Sequence, residues 1–132
     1  MNIILSYIAT LIPLMGLDAL WILVLAKKFY AEHMGFLFSS QVNFVPIAFF
    51  YPIYSIGVLL LAVLPAINSN SWVEALWRGA VLGLMAYGAY DLTNHATIAN
   101  WPLVMTLVDI AWGITVTALT SLIAYFIINS TR

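Results

Sequence analysis

Apolar residues fill this chain in four long runs separated by short polar breaks. The runs cover about residues 3–26, 43–64, 72–95 and 102–128. Each is close to the ~20 residues that carry a helix across the hydrocarbon of a bilayer. None alternates polar and apolar positions as the strands of a membrane β-barrel would. The pattern predicts an all-α fold: a polytopic integral membrane protein, a four-helix transmembrane bundle, with residues 1–132 as one domain. Ser71-Trp72-Val73-Glu74 reads as a capping box opening the third helix. Pro102 suits a first helical position after Asn100-Trp101. Pro46 and Pro52 should kink the second helix, and Pro65 should end it. Trp72 and Trp101 are expected at the water–lipid boundaries. The loop from Lys27 to Val42 is the longest and is expected to hold a short interfacial helix around Phe29 to Phe38. The other two loops are short, which makes neighbouring helices antiparallel hairpins.

Composition narrows the function classes. Hydrophobic residues make up 64% of the chain and charged ones 7%, far below the ~25% of a soluble domain. A net charge of −1 argues against a nucleic-acid partner, which calls for basic patches. With no Cys there are no disulfides, no thiol chemistry and no thiolate metal sites. The first run has no Lys or Arg before it, is too long for a signal peptide, and lacks a small-residue cleavage site after it. It is expected to stay as a span. Lys27 and Lys28 oppose Arg78 and Arg132 across the membrane, so the positive-inside rule leans only slightly to a cytoplasmic first loop.

Against this background three acids stand out: Asp18, Asp91 and Asp109. A carboxylate at the centre of a spanning helix costs about 2.5–3.5 kcal/mol on insertion scales. Alternating helix direction sets their depth. Asp18 lies about 14 Å before Lys27 along the helix, and Asp109 about 12 Å after Trp101. Asp91 lies near the end of the third helix. All three are expected in the same half of the membrane, facing the first and third loops. Asp18-Ala19-Leu20-Trp21 and Asp109-Ile110-Ala111-Trp112 share a D-x-x-W spacing. That spacing puts each Trp on its Asp's face, and the opposite run of the two helices suggests inverted internal symmetry.

Tyr87, Asp91, Asn94 and His95 fall on one face of the third helix. Gly79 and Gly83 form a G-x-x-x-G pair for close helix approach. Glu74 and Arg78 pair at i, i+4 near the other surface. The aromatic run Phe49 to Tyr54 reads as lipid-facing or core packing. Asp91 and His95 come nearest to a metal pair, but the chain has only two His, so no metal site and no cofactor are predicted. No G-x-S-x-G, H-E-x-x-H or phosphate-cradling loop occurs.

The segment Tyr90-Asp91-Leu92-Thr93-Asn94-His95-Ala96-Thr97, then Asn100-Trp101-Pro102, then Asp109-Ile110-Ala111-Trp112-Gly113, resembles the bacterial membrane domain-of-unknown-function family 2177. Asp18 with Leu20-Trp21, Phe29-Tyr30, Phe50-Tyr51 and Leu64-Pro65-Ala66 are similar to that family's pattern as well. The resemblance implies a small four-helix protein of the bacterial inner (plasma) membrane, and no activity. At His95 the chain departs from the pattern, where the family has an aliphatic residue.

The candidate site for a substrate or ion is Asp18, Asp91, Asp109, Asn94, Trp21, Trp112 and Tyr87. The leading expectation is binding or transport of a small solute, proton or cation. A membrane-embedded enzyme or accessory factor acting on lipid or another apolar substrate is the alternative, and a structural or partner-binding role a third. An enzyme is the less favoured class. Expected partners are membrane lipids and the solute or ion. The small bundle also allows homo-oligomerisation, which would bury the Gly79–Gly83 face.

Overall fold

A computed structural model describes residues 1–37 and 42–132. Residues 38–41 fall outside it, and with them Phe38, the expected end of the loop helix. Among the described residues there are helices and turns and no strands. α1 spans Ile3–Leu20 and runs on through a widened π-turn, Trp21–Leu25. α2 spans Lys27–Met34 and ends in a 3₁₀ turn, Gly35–Leu37. α3 is Phe44–Val58, followed by a second π-turn, Leu59–Val63, and by α4, Leu64–Ser69. α5 is Trp72–Thr97 and α6 is Leu103–Ser130.

The helix starts follow capping chemistry. The Asn2 side chain accepts from the N–H groups of Ile4 (2.9 Å) and Leu5 (3.2 Å). Asn43 accepts from Val45 N–H at 3.1 Å, and Ser71 from Glu74 N–H at 3.2 Å. These bonds satisfy donors that a helix's first turn leaves open. Pro102 precedes α6 as its cap rather than its first residue. At the tight connections, Asn70 (φ 52°) and Asn100 (φ 63°) take the left-handed conformation that asparagine tolerates.

The second helical rod does not stop at Pro65. It continues to Ser69 because the turn before the proline is already wound wide, with Leu64 N–H reaching Leu59 O. The missing proline donor then falls in the first turn of α4, where none is needed. Pro46 sits in the first turn of α3, and Pro52 lies inside α3 without ending it.

Three rods are long and apolar enough to cross a membrane: Ile3–Leu25, Phe44–Ser69 and Leu103–Ser130. α5 has 26 residues, about 39 Å of helix, but its composition is less apolar. The run from Asp91 to His95 lowers it.

α5 and α6 form the most extensive helix pairing. A Cβ on Gly79 would come within 2.6 Å of Ser121 Oγ and 2.7 Å of Thr117 O, and one on Gly83 would overlap the Gly113 carbonyl. The G-x-x-x-G face is therefore spent inside the chain, against α6. It is not open for the homo-oligomer contact expected of it. Ala9, Val58, Val63, Ala66, Ala75, Ala124 and Tyr125 close a dry core toward the end where α1 begins and α6 finishes. Met34, Trp101 and Met105 form a smaller cluster at the other end, where α2 folds back. Trp101 is only 7% exposed there, so it does not sit outward at a lipid boundary. Trp72, at 49%, does face outward.

Candidate functional site

Between the two clusters the bundle holds two adjoining cavities, of about 350 and 260 Å³. Asp18, Tyr87 and Trp112 line the first, and Asp91 and Trp101 line the second. Ile22, Tyr30, Tyr90 and Asp109 border both. Their sides are aromatic and aliphatic, and the three acids supply the charge-bearing groups.

The sequence positions Asp18 on α1 one turn before the π-turn. It is 5% exposed and held from both sides. Trp112 Nε1 donates to Asp18 Oδ1 at 2.9 Å, and the Tyr51 hydroxyl donates to Oδ2. Asp109, on α6 and 8% exposed, receives the Tyr30 hydroxyl on Oδ1 at 2.8 Å. Tyr30 in turn accepts from Trp21 Nε1 at 2.9 Å. Burial, and then the charge of Asp109, push the Tyr30 phenol well above its ordinary range, so it stays protonated and acts as donor to Asp109.

Asp91 is different. It is fully buried, yet neither carboxyl oxygen has a hydrogen-bond partner among the described residues. The carboxyl of Asp109 borders the same cavity. Two neighbouring carboxyls bond each other only with a proton between them; otherwise a cation or a donor-rich ligand can stand there.

The other expected site residues divide. Tyr87 lines the first cavity, in the space that Gly113 leaves by having no side chain. Trp21 and Trp112 stack at 4.5 Å between ring centres. Asn94 lines neither cavity; its backbone carbonyl caps α5 by accepting from Ile98 N–H at 2.8 Å. His95 turns from Asp91 to Thr106, 3.1 Å from its Nδ1, and Trp101 Nε1 donates to the same hydroxyl at 3.0 Å. Tyr30, Tyr51, Phe50 and Tyr90 border or bond the site, although the sequence offered them only as parts of a family pattern and not as site residues. Tyr51 and Phe50 lie in the aromatic run assigned to packing, and part of that run does face outward, with Phe49 and Ile53 each 64% exposed.

The model of a family described as "Predicted membrane protein (DUF2177)" matches residues 3–126, and the chain belongs to that family. No curated protein and no solved structure matches it.

Proposed function

For this member of the DUF2177 family, we propose binding or transport of a small solute or ion at an intramembrane aspartate cluster made of Asp18, Asp91 and Asp109. In this reading all four long helices cross the bilayer, the plasma membrane of a bacterium. α5 keeps its polar turns inside the bundle, and the whole chain is one unit. The observation that carries the reading is Asp91: 0% exposed, without a donor on either oxygen among the described residues, and bordering a cavity that a second carboxyl also borders. A buried acid kept only for packing would be hydrogen-bonded, as Asp18 is. Leaving one open costs stability that a purely structural role does not repay.

The test is flux in reconstituted vesicles. Protons, Na⁺, K⁺ and small ammonium ions are offered outside, with the Asp109→Asn and Asp91→Asn chains as comparison. Flux that requires both acids supports the reading. Equal flux in the wild-type chain and both variants, each shown to be folded, would overturn it.

One observation favours a second reading, an enzyme or accessory factor working on an apolar substrate. The cavity borders include residues exposed on the sides of the helices: Ile22 and Phe50, each 43% exposed, and Tyr90 at 59%. Entry from the bilayer would suit a lipid-like molecule. Retention of one lipid class by the purified chain, lost in Asp91→Asn, would bring that reading forward.

A further inference from the structure

The donors and acceptors around the cavities narrow the ligand class, on the premise that the aspartates bind something at all. Asp18 is satisfied by Tyr51 and Trp112. On Asp109, Oδ1 is taken by Tyr30, and no described residue donates to Oδ2. Both oxygens of Asp91 are without partners among the described residues. The two carboxyls thus offer three acceptor oxygens to which no described residue donates. Tyr30, Tyr90 and Trp101 wall the smaller cavity, about 260 Å³, that both carboxyls border, and Tyr87 and Trp112 continue the wall in the adjoining cavity of about 350 Å³, which Asp109 also borders.

We infer that the cleft takes a small protonated primary amine, its ammonium between Asp91 and Asp109 and its apolar body against the aromatic walls. An ammonium carries three N–H donors on one centre, which matches three open carboxyl oxygens. Rings flanking a cation attract it through their faces, more strongly when water is excluded. Competing occupants fit less well. A lone proton shared between the two carboxyls engages one oxygen of each and leaves the third oxygen and the rest of the cavity idle. A bare metal ion wants a shell of oxygen, nitrogen or sulfur ligands, and no group of three His, Cys, Asp or Glu is set to hold one among the described residues. A quaternary ammonium has no N–H to offer the carboxyls. A neutral alcohol brings one donor and no charge.

The test uses the purified full chain in detergent, with calorimetry and tryptophan emission as readouts. The probes are phenethylamine, 2-phenylethanol, tetramethylammonium and NaCl. Saturable phenethylamine binding, tighter than that of the alcohol or the quaternary ion by about tenfold or more, is expected. Asp91→Asn and Asp109→Asn should each weaken it by about tenfold or more, with helicity and Trp emission retained. The comparison among probes on the wild-type chain stands even where a variant fails to fold. Equal binding of amine and alcohol overturns the amine assignment and leaves a solute site. Binding of Na⁺ without the amine overturns it in favour of an ion site. A panel in which nothing binds overturns both the assignment and the solute-or-ion reading on which it rests.

Discussion

The indoles of Trp21 and Trp112 lie face to face, ring centres 4.5 Å apart and planes 7° from parallel. They come from the two D-x-x-W turns, and the turns exchange acceptors. Trp112 donates to Asp18 on α1, and Trp21 reaches Asp109 on α6 through the Tyr30 hydroxyl. Each tryptophan thereby serves the other helix's acid. Since α1 and α6 run antiparallel, with Ala9 near Tyr125 at the far end, the pair has a local two-fold character. Tyr30 breaks it, because it stands in for a direct bond on one side only.

The stacked pair should register as a coupling. Replacing Trp21 and Trp112 by Phe, singly and together, is expected to give an interaction energy of about 0.5–1.5 kcal/mol in a double-mutant cycle of unfolding in mixed micelles. The exciton couplet of two stacked indoles should vanish from the circular dichroism in either single variant. Additive losses with an unchanged couplet would mean that the rings do not stack.

The glycines give a contrast within one residue type. Gly83→Ala puts a methyl on the Gly113 backbone, and Gly79→Ala puts one on Thr117 O. Each should destabilise by about 1–3 kcal/mol, as overpacking does. Gly57→Ala has nothing within 4 Å of the new carbon and should be neutral or gain up to about 1 kcal/mol from helix propensity. If Gly83→Ala changed only the oligomeric state and not the unfolding of the chain, the α5–α6 packing would be wrong.

Much of the fold was legible because long apolar runs and capping residues are local signals: Ser71 caps α5, and Glu74 meets Arg78 at 3.2 Å. What could not be read was partner choice. The D-x-x-W spacing suggested that each Trp belongs with its own Asp, whereas the bonds cross between helices. Tyr51 looked like its lipid-facing neighbours because one aromatic run, at 3.6 residues per turn, supplies both faces of α3. Tyr30 lies in a loop helix, and only the back-folding of α2 brings its hydroxyl to Asp109. His95 shares a helical face with Asp91 by spacing but finds Thr106 instead, since a hydroxyl on α6 is nearer than the acid.

Tyr51 should matter through one atom. Tyr51→Phe removes the hydroxyl that Asp18 accepts on Oδ2 and is expected to cost about 1 kcal/mol. In an Asp18→Asn background the same substitution should cost much less, because the charge that strengthens the bond is gone. Thermal unfolding in detergent reads both. A Tyr51→Phe loss that is the same in either background would show that the hydroxyl does not serve Asp18.

Asp91 and Asp18 should respond to amidation with opposite signs. Asp18 has a donor on each oxygen, so Asp18→Asn sets an amide N–H₂ against the Tyr51 hydroxyl or the Trp112 N–H. The Trp112 N–H can only donate, so the amide oxygen turns to it and the Tyr51 hydroxyl must accept instead of donating to a carboxylate; losing that charge-assisted bond is expected to cost about 1–3 kcal/mol. No described residue donates to Asp91, and Asp109, which borders the same cavity, is an acceptor. Asp91→Asn supplies the missing N–H to Asp109 and relieves the repulsion of adjacent carboxyls, so stability should rise by about 1 kcal/mol. A residue whose isosteric replacement stabilises the protein while removing ligand binding is held in place by function rather than by packing. Unfolding of the two variants side by side decides it. Should Asp91→Asn fall as far as Asp18→Asn, the open acid is a structural partner, and the case for a ligand between Asp91 and Asp109 goes with it.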